Sequence, residues 1–136
     1  MRPGPPRGAT VTFELTVTPE MCARVGGTQV HAVYGTVSLV EHIEQVCREV
    51  LAPHLEPGEE GVGTKLDILH RAPVPVGERL TLVATVATVA PTSLTCEVMV
   101  RHGGTIIARG SFEQRIVRSD AFQAEIEARR TAPNLG

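Results

Sequence analysis

Residues 37–51, VSLVEHIEQVCREVL, have the period of a helix with an unusually wide apolar arc. At ~100° per residue, Val37, Leu39, Val40, Ile43, Val46, Cys47, Val50 and Leu51 fall on one continuous apolar arc. Ser38, Glu41, His42, Gln45, Arg48 and Glu49 fall on the other. An arc this wide belongs to a helix wrapped by a sheet rather than one resting on a surface. Pro53 and then Pro57-Gly58 stop it. At its start Ser38 and Glu41 suit a capping box, with Thr36 competing as the cap.

The rest of the chain supplies that sheet. Residues 11–18, VTFELTVT, alternate, with Val11, Phe13, Leu15 and Val17 on one face. Residues 19–35 carry Gly26, Gly27 and Gly35 and no clear period, so they read as mostly loop with at most a short helical turn. From 62 to 71 alternation returns, with Val62, Thr64, Leu66, Ile68 and His70 sharing a face. Residues 79–90, RLTLVATVATVA, are apolar on both faces and therefore a central strand. Residues 94–101 and 105–117 form two more strands around the hairpin turn Gly103-Gly104. Ser119-Asp120 caps a short helix to about Arg130.

The order is strand, long helix, four strands, short helix. Short turns make the later strands mostly antiparallel. One long apolar helix beside one antiparallel sheet must be its core partner. The expected class is α+β: a hot-dog fold, a curved antiparallel β-sheet wrapped around one long central helix.

With 136 residues, one domain is expected. It spans 10–131, between a disordered lead at 1–9 and a disordered tail at 132–136. Aromatics make up 3%, so the core rests on Val, Leu, Ile and Ala. A net charge of −2 without a basic stripe points away from nucleic acid. No apolar run reaches the ~18 residues that span a bilayer. The opening MRPGPPRG has no hydrophobic core and is not a signal peptide. Cys22, Cys47 and Cys96 are unclustered, which reads as reduced thiols in a reducing, cytoplasmic setting. No metal or cofactor is expected.

Two polar residues break the apolar faces. Glu44 falls inside the helix arc, its only charged member. A carboxylate drawn out of water titrates higher than in solution and becomes an acid or base useful near neutral pH. His70 closes the apolar face of its strand, which should point at the helix. A histidine beside a carboxylate is an acid–base pair. Thr36, just before the helix, is either a plain cap or a hydroxyl beside unpaired amides that can hold an oxyanion. His31, His42, His54 and His102 lack metal-ligand spacing and read as loop or solvent-facing residues. There is no GxSxG elbow and no phosphate loop.

Thr36, Glu44 eight residues on, and His70 twenty-six beyond that resemble the fluoroacetyl-CoA thioesterase type of the hot-dog superfamily. APHLEPGEEGVGT (52–64), ILHRAPVPVGERL around His70, and RGSFEQR (109–115) add to the match, which covers roughly residues 30–120. The resemblance implies hydrolysis of a small acyl-CoA by a homodimer with active sites near the subunit interface, no metal, and Thr36, Glu44 and His70 as catalytic residues. Gly63 corresponds to the glycine that lets backbone approach the ligand. Gly35 and Ala32 near the site favour a compact acyl group, and Arg71, Arg115 or Arg118 are candidates for the coenzyme A phosphates. The family's aromatic lid is missing: the loop ahead of Thr36 reads VGGTQVHAV, without Phe or Trp, so fluorinated selectivity is not expected. Three other readings stay open: a hot-dog hydratase or dehydratase, a non-catalytic acyl-CoA-binding module, and a structural dimer with a decayed site.

Overall fold

The computed structural model describes residues 1–131. The expected tail at 132–136 lies outside them. Strand β1 (Thr10–Thr16) leads through a 3-10 turn at Pro19–Met21 into β2 (Cys22–Val25) and β3 (Thr28–Tyr34). Helix α1 (Thr36–Leu51) follows, then β4 (Glu59–His70), β5 (Arg79–Ala90), β6 (Ser93–His102), β7 (Thr105–Arg118) and helix α2 (Ser119–Thr131).

Five strands form one antiparallel sheet in the order β1-β5-β6-β7-β4, with α1 packed across it. The alternation along each strand explains the packing. Leu80, Leu82, Ala84 and Val86 of β5 and Leu94, Cys96, Val98 and Val100 of β6 point inward. They meet Leu39, Ile43, Val46, Cys47, Val50 and Leu51 of α1 in a single core. This is the hot-dog arrangement expected from the helix arc.

Four local expectations are corrected. Residues 22–34, expected as loop, are a hairpin. Gly26 and Gly27 have φ of 58° and 83°, the two positive values that a tight hairpin turn of this hand requires. Period-2 patterning is missing because most of β3 is exposed on both faces. The buried arc of α1 is also turned: it takes in His42 and leaves Val37, 72% exposed, and Glu44 on its rim. The N-cap is Gly35, with no side-chain cap bond, rather than Thr36 or Ser38. Finally, the register of β4 against β7 shifts between Gly63 and Lys65. The bulge flips Val62 and Thr64 away from the helix and turns Gly61 and Gly63 towards it; a Cβ at Gly61 would meet Leu51 of α1.

The lead at 1–9 is not detached either. The Met1 ammonium lies 2.5 and 2.6 Å from the two carboxylate oxygens of Glu59. The Gly8 amide donates to Val86 O at 2.8 Å.

Candidate active site

Thr36 opens α1 and His70 closes β4, and the fold brings the two together. Thr36 Oγ1 lies 2.9 Å from His70 Nδ1. Because Gly35 serves as the N-cap, the Thr36 hydroxyl is not engaged in capping and can face the imidazole. Gly35 itself is held by its amide, which donates to Met21 O at 2.8 Å. The amides of Thr36, Val37 and Ser38 precede the first helical bond, Leu39 N–H to Gly35 O at 3.0 Å. They are the donors a helix start leaves for an anion.

His70 is half-buried, and its Nε2 is enclosed without a hydrogen-bond partner among the described residues. Burial pushes its pKa below the ordinary histidine range. The ring is therefore neutral near pH 7 and able to take a proton. Arg71, next along the chain, lines the same depression as Thr36 and His70, together with His31.

Glu44 is exposed, in a neighbouring groove with Gly61, Gly63, Phe112 and Gln114. Eight residues of helix separate it from Thr36, a rise of about 12 Å. The carboxylate expected inside the arc is thus on its edge. Gly63 belongs to this groove: a Cβ there would come within 2.8 Å of Phe112 Cζ and 3.8 Å of Glu44 Oε2. Any side chain at 63 would fill the space beside the carboxylate. Arg115 lies apart from both groups, exposed on the sheet face away from α1, near Val62 and Phe122. Arg118 sits close to Gly58.

Two residues around the site escaped the sequence reading. Tyr34, the chain's one tyrosine, is buried two residues before Thr36. Its ring meets His70 edge-on, centroids 6.4 Å apart at 74°. His42, expected to face solvent, is buried, with Nδ1 2.6 Å from the Tyr34 hydroxyl. A signal was present: Leu39, His42, Ile43 and Val46 follow the i, i+3, i+4, i+7 spacing of a core stripe.

Comparison with known proteins follows the same lines. The family model for the fluoroacetyl-CoA-specific thioesterase matches residues 17–120. The fluoroacetyl-CoA thioesterase of Streptantibioticus cattleyicolor is 30% identical over 100 residues, 74% of this chain and 72% of that protein. A thioesterase superfamily member from Thermus thermophilus superposes with a TM-score of 0.88 at 32% identity, over 96% of each chain. A structure of the fluoroacetyl-CoA thioesterase FlK superposes with a TM-score of 0.85 at 27% identity, over 96% of this chain and 99% of that one.

Proposed function

We propose that this chain, which belongs to the fluoroacetyl-CoA-specific thioesterase family, hydrolyses a small acyl-CoA thioester to the free acid and coenzyme A. The observation that carries the reading is the Thr36–His70 contact at the start of α1, in a chain whose family performs this reaction class. Water adds to the thioester carbonyl, the C–S bond breaks, and the thiolate leaves and takes up a proton. Amides of Thr36 to Ser38 and the helix dipole would stabilise the oxyanion. Neutral His70 would move the proton between water and the leaving sulfur. Thr36 would orient the water or the acyl group, or accept the acyl group itself. Glu44 would serve as base for water or as nucleophile. Arg71, without an ion pair among the described residues, lines the same depression as this pair and suits a coenzyme A phosphate. Arg115 has no such placement within one chain.

A homodimer is part of the proposal. Strand β4 runs for 12 residues at the edge of the sheet, with Leu66 and Leu69 exposed. Long exposed edges invite pairing with another strand. The three cysteines are free and buried, which supports a reducing, cytoplasmic setting. Among the described residues no helix is long and apolar enough to cross a membrane.

Release of free thiol from a panel of acyl-CoAs tests the reading. Turnover of short-chain acyl-CoAs supports it. Acyl-CoA binding without thiol release overturns it in favour of a binding module, the alternative that the placement of Glu44 apart from Thr36 and His70 within one chain would favour.

A further inference from the structure

His70 ends an edge strand, and among the described residues one hydrogen bond, to Thr36, orients its ring. The torsion of an imidazole about its last side-chain bond is broad and two-fold. Something else must choose the orientation that aims Nδ1 at Thr36. An aromatic ring packs against it. Tyr34, 1% exposed, sets its ring edge against the His70 ring.

Tyr34 is itself fixed. Its amide donates to Val74 O at 2.8 Å, and its hydroxyl lies 2.6 Å from His42 Nδ1. The two rings are nearly parallel, 5° apart, with centroids at 5.8 Å. Phe13 of β1 closes on His42 at 6.1 Å. With both groups neutral in this core, the phenol donates to Nδ1 and His42 keeps its own proton on Nε2. The reverse assignment would leave a buried hydroxyl without an acceptor, which is costly.

We propose that Tyr34, anchored by His42, is a positioning residue for the Thr36–His70 pair, and that His42 acts on the site only through Tyr34. The proposal rests on the thioesterase reading for its kinetic consequences, but its structural claim concerns the His70 ring alone. It separates His42 from a residue that merely fills the core. Removing His42 leaves the Tyr34 hydroxyl buried without a partner and displaces the ring; removing the hydroxyl as well restores an apolar pair that packs without an orphan.

The test compares Tyr34→Leu, His42→Leu and the double variant Tyr34→Phe with His42→Leu. Each is checked for folding by circular dichroism. Thiol release gives kcat and KM, and nitrogen-15 NMR of the His70 ring gives its tautomer. His42→Leu and Tyr34→Leu should each lower kcat about tenfold with KM within about twofold, because the reacting groups are misaligned rather than lost. Both should shift the His70 ring signals. The double variant should return kcat to within about threefold of wild type, with the His70 signals restored. A double variant as impaired as His42→Leu overturns the anchoring. Wild-type kcat and unshifted His70 signals in folded Tyr34→Leu overturn the positioning role. If Tyr34→Leu does not fold, the His42→Leu and double-variant pair decides the matter. If the wild type releases no thiol, the His70 signals still test the brace, so its failure is distinct from failure of the assigned reaction.

Discussion

The Thr36 side-chain oxygen lies 2.9 Å from Nδ1 of His70, across 34 residues of sequence. That closeness follows from two local facts. Gly35 takes over the capping position, which leaves the hydroxyl available. The bulge between Gly63 and Lys65 resets the faces of β4, so that its far end still delivers His70 to the start of α1. Neither Thr36 nor His70 is unusual alone. In the proposed reaction this pair, with the amides of the helix start beside it, would polarise a thioester carbonyl and move a proton.

The β2–β3 hairpin ahead of Thr36 sets the first expectation. Residues 25–33 contain no Phe or Trp, and Val25 beside the turn and Val30 along β3 are exposed. The protein should therefore not distinguish strongly between fluoroacetyl-CoA and acetyl-CoA. Values of kcat/KM for the two decide this. A preference for the fluorinated substrate above about a thousandfold, ~4 kcal/mol of differential stabilisation, would show that other residues supply the discrimination.

Much of this was legible from pattern. The helix arc follows from a period of 3.6 and β1, β4 and β6 from alternation, while β5 was read from a run apolar on both faces and β7 from the turn before it. What pattern did not reveal has a physical reason in each case. The β2–β3 hairpin forms its own two-stranded sheet, tied to the rest near Val33–Pro75, and most of β3 is exposed, so burial imposes no alternation on it; Gly26-Gly27 was its only mark. His42 looked polar on the wheel because the wheel knows residue type, not the Tyr34 hydroxyl that satisfies the ring. Glu44 and Val37 exchanged places with His42 when the arc turned, which no sequence rule fixes to within one residue. Thr36 and His70 each stood out as candidates in the sequence, but their contact depends on tertiary packing.

Acid should weaken the fold through its buried histidines. Burial lowers the pKa of both His42 and His70 in the folded chain. The unfolded chain, whose imidazoles titrate near ~6.5, then binds protons that the folded chain does not. Stability is full above that value, falls as pH drops through it, and levels off once the folded-state values are passed. Replacing His42 by Leu together with Tyr34 by Phe removes one of the two groups. Urea midpoints between pH 7 and 5 should fall less steeply for this double variant than for wild type. An equal slope would mean that His42 is not held neutral.

Glu44 tests whether the second groove takes part. Glu44→Gln keeps shape and removes the base, so turnover should fall by about a hundredfold or more. Combined with His70→Ala, the loss should be little worse than the larger single loss if the two act as a unit. Glu49→Gln, on the exposed arc of α1, is the control and should stay near wild type. Wild-type turnover in folded Glu44→Gln would remove Glu44 from the chemistry.

His70, held against Thr36 at the start of α1, is proposed to move the proton in acyl-CoA hydrolysis. Steady-state thiol release by folded His70→Ala, with the best short acyl-CoA of the panel at saturation, addresses it directly. The expected kcat is at least about a hundredfold below wild type, the size of loss that follows removal of a general acid–base. A kcat equal to wild type would contradict it.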